Sequence, residues 1–186
     1  IMKIGRIESP STKLIGYIDG LTVANNAANP NTDVDFGPGV AWCNDRLIEN
    51  TSTRTKILSG TWAAGNNNGG RFSGVSLSAD TWYHCFIMHE TATGAIDFGF
   101  DTSVTGASKP SGWDVRLIWS IKTNGSSQIV PFVQRGDRCI WKTPPLDAYS
   151  TFVTTTSSLI TVSSPADLNC DVVCAFTFLS ASTTYM

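Results

Sequence analysis

The chain is written in short ribbons of aromatic and β-branched residues, closed by clusters of Gly, Asn, Pro, Ser or Thr about every ten residues. The clearest pair lies at 82–88 and 95–100, WYHCFIM and AIDFGF, around the polar, Gly-containing ETATG. Two such runs joined by a short turn-forming stretch predict an antiparallel hairpin. Residues 40–43 begin another strand, and 46–48 and 55–58 add extended segments or one short helical turn. The run VRLIWSI (115–121) is a strand, KTNGSSQ (122–128) a hairpin loop with an Asn-Gly step, and IVPFVQ (129–134) its return. RCIWK (138–142) is a short strand, and the tail adds two more, at 152–162 and 170–179. No stretch carries an amphipathic helical period over three turns. About a dozen short strands predict an all-β fold, an antiparallel β-sandwich of jelly-roll-like kind.

Three stretches interrupt this order. Residues 25–39, NNAANPNTDVDFGPG, contain Asn-Pro and Gly-Pro steps that exclude a helix and predict a long loop. Residues 60–74, GTWAAGNNNGGRFSG, are dominated by Gly and Asn, which tolerate positive φ and hydrogen-bond their own backbone. Residues 103–113, SVTGASKPSGW, form a connector. The first residues hold Lys3, Arg6 and Lys13 around Ser9-Pro10-Ser11, so residues 1–20 are either a docking arm or an edge strand. Residues 21–186 are expected to form a single β-sandwich domain, a size that all-β domains commonly reach undivided.

Composition narrows the functional classes. Charged residues make up 15% of the 186, and the net charge is −2. The polar positions are therefore mostly amide and hydroxyl, with no basic footprint for nucleic acid and no basic run for a membrane surface. Apolar runs fall far short of the roughly 20 residues needed to span a bilayer, and the chain does not open as a signal peptide does. The five cysteines, Cys43, Cys85, Cys139, Cys170 and Cys174, have no CxxC spacing and sit mostly in apolar runs. They are expected to be reduced core residues, as suits assembly in a reducing cytoplasm.

Candidate chemistry is sparse. There are three glutamates, and a glycosidase-type carboxylate pair would most easily come from Asp33, Asp35, Asp45, Asp97 or Asp101. Most of these neighbour Gly, Asn or Thr, where caps and Asx turns are the ordinary use of an aspartate. Asp33-Val34-Asp35 would place two carboxylates on one side of a strand, yet the further ligands of a calcium loop are missing. His84 and His89 are the only imidazoles, without a GxSxG elbow. Cys85 and His89, four positions apart at about 3.3 Å per residue, are too far apart for a dyad. No catalytic set, metal site or cofactor is expected, and the chain reads as a non-enzyme.

The six tryptophans divide by context. Trp82, Trp119 and Trp141 lie inside strand runs and are expected in the core. Trp62 and Trp113 adjoin the two Gly-containing loops, where an indole could stack on a sugar ring while Asn66, Asn67 and Asn68 bind hydroxyls. The alternative is a tryptophan plugging the end of the sandwich beneath its loop.

The ordered segments TWAAGNNNGG, DTWYHCFIMHETATGAIDFGFDTS and KPSGWDVRLIWSIKTNGSSQIVPFVQRGD resemble a module of tailed-bacteriophage and prophage proteins found in tail fibres, tail spikes and other virion appendages. They lie mostly in the middle of the chain. The resemblance implies a virion structural protein assembled in the host cytoplasm, a homotrimer that contacts other virion proteins and serves in attachment to a bacterial surface glycan. It carries no catalytic residues onto these positions. A decoration or adaptor protein without a receptor, and a polysaccharide depolymerase using Asp33, Asp35, Asp97 and Asp101, are the rival functions.

Overall fold

The computed structural model describes residues 16–144, 161–165 and 167–174. The chain divides into two compact units, 1–144 and 145–186. All described strands belong to the first. Among the described residues of the second there are turns and bends but no strand, including the 170–174 part of the predicted last ribbon.

The first unit is all-β and sandwich-like. Its large sheet runs in the order β10 (Trp113–Lys122), β8 (Trp82–Glu90), β9 (Ile96–Asp101), β7 (Asn68–Arg71), β6 (Arg54–Thr61), β3 (Asp33–Phe36), β2 (Val23–Asn25). A small sheet, β1 (Ile18–Gly20), β4 (Gly39–Cys43) and β5 (Arg46–Asn50), packs on it, and β11 (Phe132–Arg135) with β12 (Arg138–Trp141) forms a separate hairpin. The small sheet has the period of a half-buried layer. Ala41, Cys43, Ile48 and Asn50 are buried, while Trp42, Leu47 and Glu49 between them are at least partly exposed.

The β8–β9 hairpin forms as predicted, from His84↔Asp101 to His89↔Ile96. Seven consecutive residues of β8, Tyr83 to His89, are buried. Unbroken burial along a strand requires cover on both faces of its sheet, which is why this ribbon reads as continuously apolar rather than alternating. Phe36 stacks on Phe98, with centroids 4.4 Å apart, and lies near Phe100 at 5.9 Å. Each such ring contributes roughly 1.5–3 kcal/mol by leaving water.

Several expectations need correction. The sheet is mixed rather than antiparallel, because β7 pairs in parallel with both β6 and β9. Glycine makes this insertion feasible: a Cβ on Gly69 would lie 2.1 Å from the Thr61 carbonyl oxygen, and one on Gly70 would meet the Phe100 ring at 2.5 Å. Residues 25–39 are also not one long loop, since Asp33–Phe36 is an interior strand with Val34 and Phe36 fully buried. The turn residues around it disguise a four-residue strand.

The large sheet curls until its ends approach, and the β11–β12 hairpin bridges them. On the β2 side, Val23 N–H donates to Gln134 Oε1 at 2.6 Å and Phe132 N–H to Asn25 Oδ1 at 3.0 Å. On the other side, Phe132 stacks near Trp119 of β10 and Trp141 meets Trp82 of β8. The expected return of 129–134 along β10 ends early: after the Thr123↔Ile129 bridge and the bond from Val130 N–H to Lys122 O at 2.8 Å, Phe132 N–H turns to Asn25 Oδ1 instead of β10. The released chain pairs instead with β12. As a result Trp82, Trp119 and Trp141 are partly buried around the hairpin rather than in the core, and Cys139 is exposed on β12. Cys170 and Cys174 are exposed too, so only Cys43 and Cys85 are core thiols.

Candidate functional site

Residues 62–67 carry the chain from β6 to its parallel neighbour β7 in six steps. A parallel connection ordinarily takes a dozen residues or more. Here the loop lies close over the sheet, where its own backbone groups need partners, and two side chains from the sheet supply them. Lys56 of β6 is fully buried, and its ammonium donates to Ala63 O at 2.7 Å, Gly65 O at 3.1 Å and Asp97 Oδ2 at 3.2 Å. Asp97 of β9 is also buried, and its Oδ2 accepts from Gly65 N–H at 3.1 Å. Burial lowers the proton affinity of Lys56, and the nearby Asp97 carboxylate only partly opposes this.

Trp62 begins the loop. Its indole N–H donates to Phe98 O at 3.1 Å, and Lys56 Nζ lies 5.6 Å from its ring centre. Trp113, at the start of β10, meets it edge-on with centroids 5.3 Å apart. Sequence context paired these two tryptophans as loop residues, and the fold does bring them together. Trp113, however, is only 7% exposed, so it has no free ring face and plugs the layer beneath its loop. Trp62 is half-buried.

Asn66, Asn67 and Asn68 are all exposed, but two of them are engaged in holding the loop. Asn66 Oδ1 accepts from Thr55 N–H at 2.7 Å, and Asn68 Nδ2 donates to Ala64 O at 2.6 Å. Asn67 takes the left-handed conformation, φ 59°, and its backbone N–H donates to Thr55 O at 2.9 Å. Its side-chain amide has no hydrogen bond among the described residues. The loop thus presents one uncommitted amide on a fixed frame beside a half-buried indole.

The carboxylates considered for hydrolysis have local structural partners. Asp33 accepts from Thr32 Oγ1 and Asn29 Nδ2, and Asp35 from Asn26 Nδ2 and Thr55 Oγ1. Asp101 is buried and accepts the N–H groups of Ser103 and Ser108, which shapes the connector leading to Trp113. His84 Nδ1 lies 2.8 Å from Ser120 Oγ across the β8–β10 pair. Among the described residues no three of His, Cys, Asp and Glu gather so as to hold a metal ion. Lys3, Arg6 and Lys13 lie outside the described residues.

Sequence context missed Lys56. Its signal was the alternation in RTKILSG, where Lys56 shares the inward face with Leu58. No family model, no curated protein and no solved structure matches this chain.

Proposed function

We propose that this chain is a bacteriophage virion structural protein, a fibre or appendage subunit of jelly-roll-like kind, which assembles as a homotrimer and contacts a bacterial surface glycan. The observation that carries this reading is the fixed loop at 62–67, an uncharged, amide-bearing element next to an indole. Sugars offer hydroxyls and weakly apolar ring faces, so neutral amides and an aromatic edge suit them better than charges do. A loop whose backbone is already tied to the sheet loses little conformational freedom on binding, which favours recognition of a flexible polymer. The resemblance of the segments at 61–70, 80–103 and 109–137 to appendage modules points to the same setting.

The test is binding of the purified protein to isolated host-surface polysaccharides, with the Asn67→Gly variant as the probe. Glycine accepts the positive φ and removes only the free amide. Binding by the parent and a several-fold loss in the variant, with unchanged stability, is the expected result. Absence of binding to every host polysaccharide tried would reject the glycan role.

A decoration or adaptor role has one specific observation in its favour. On the outer face of the β11–β12 hairpin, Val133 and Ile140 are cross-strand partners at 38% and 43% exposure, an apolar pair suited to contact with another protein. Light scattering checks the trimer: a monomer at micromolar concentration counts against it.

A further inference from the structure

Lys56 and Asp97 share a dry compartment, with side chains 0% and 1% exposed and Nζ 3.2 Å from Oδ2. The other two neighbours of Nζ are carbonyl oxygens, Ala63 O and Gly65 O. On the carboxylate, Oδ2 already accepts the Gly65 N–H, while the buried Oδ1 has no hydrogen-bond partner. We propose that these two side chains condense into an amide, an intramolecular Lys56 Nζ–Asp97 Cγ cross-link formed with loss of one water.

The arrangement supplies each step. The step requires transfer of one ammonium proton to the carboxylate, at the partnerless Oδ1, which leaves an amine facing an acid with no separated charges in the dry compartment. Burial acts on Lys56 in the same direction. The two remaining N–H groups stay on the Ala63 and Gly65 carbonyls, which turns the nitrogen lone pair toward its third neighbour, Asp97. As nitrogen attacks Cγ, negative charge collects on Oδ2, where the Gly65 N–H already points. The new N–Cγ bond forms, the Cγ–Oδ1 bond breaks, and Oδ1 departs as water with the proton it first received and one from the nitrogen. Ammonium and carboxylate become amide and water, with no change in oxidation state and no further reactant. Holding the two groups in contact replaces a bimolecular encounter.

The bond would staple β6 to β9 across the intervening β7, joining positions 41 residues apart. All five cysteines are free, so no disulfide performs that role. The inference is independent of what the loop above the pair binds.

Mass spectrometry of the denatured full chain tests it. The expected result is a mass one water below that of the composition, with proteolysis yielding a branched fragment that contains both Lys56 and Asp97. The Lys56→Arg variant, which keeps the positive charge but lacks a primary amine, should have full mass. Full mass in the parent after prolonged incubation of the folded protein overturns the proposal, as does a water loss that persists in Lys56→Arg. Fragment mapping of the parent decides the matter even if the variant does not fold.

Discussion

The ring of Trp113 stands nearly perpendicular to that of Trp62, at an interplanar angle of 72°, so that the start of β10 is locked against the residue that follows β6. The strands lie far apart in the sheet order, and the contact is made by the loop after β6, which reaches over β9 through the bond from Trp62 to Phe98 O. Because Trp113 is buried, Trp113→Ala should cost about 3–5 kcal/mol in chemical denaturation. Trp113→Phe, which refills part of the volume, should cost clearly less. Equal losses for both would mean that the indole is not a packing element.

Gly69 sits where β7 crosses closest to the end of β6. Gly69→Ala would drive a methyl group into the Thr61 carbonyl and the Gly60 backbone, with no flexible side chain to yield. A loss of about 1–3 kcal/mol or more is expected. Gly125→Ala is the matched control, since the nearest atom there is Asp80 Oδ2 at 3.8 Å and the change should be close to neutral. Similar midpoints for the two variants would contradict the close approach of the parallel strands.

His89 is 1% exposed, and its Nδ1 has no hydrogen-bond partner. Burial lowers its pKa below the ordinary 6.5; Arg46 adds to this, while Asp114 and Asp45 oppose it. The folded chain therefore binds fewer protons at this site than the unfolded chain does once the pH falls below about 6.5. Stability should decline as the pH drops through that value, and level off below the folded pKa. The His89→Gln variant should lack this segment of the curve. Identical urea midpoints against pH in the two proteins would refute the assignment.

The thiols should separate by access. Cys43 and Cys85 are buried, and the Cys43 thiol is pushed up to about 11, by desolvation first and by Asp114 second. They should resist alkylation until the protein unfolds. Cys170 and Cys174 should label in the native state. Cys139 should follow more slowly, because its surroundings raise its thiol to about 11 although the residue is exposed. Native labelling of Cys85 would be incompatible with the core described.

Much of the framework was legible because strand identity is written locally. The ribbon around Ile87, the turn after Glu90 and the strand through Val115 announce themselves by residue type. Pairing order is not local. Nothing near Asn68 reveals a parallel partner, because its placement depends on a lysine twelve residues earlier and an aspartate twenty-nine residues later. Asp33 looked like a loop residue because Asn and Pro precede it, although Val34 and Phe36 carried the strand signal. Of the candidate site, Trp62 and the three asparagines were visible from composition. Their division into engaged and uncommitted amides was not, since that depends on which backbone groups the loop leaves without partners. The strand tryptophans were misjudged for a related reason: after Val130 the chain leaves β10 to pair with β12, which makes a border of what reads as interior.

The hairpin at 132–141 ties Gln134 to Val23 across 111 residues of chain. During synthesis the body must therefore remain an unlatched cup until that late segment emerges, with the outer edge of its earliest large-sheet strand uncovered. A chain cut short before residue 132 would keep both edges of the large sheet but lack the bridge that joins them.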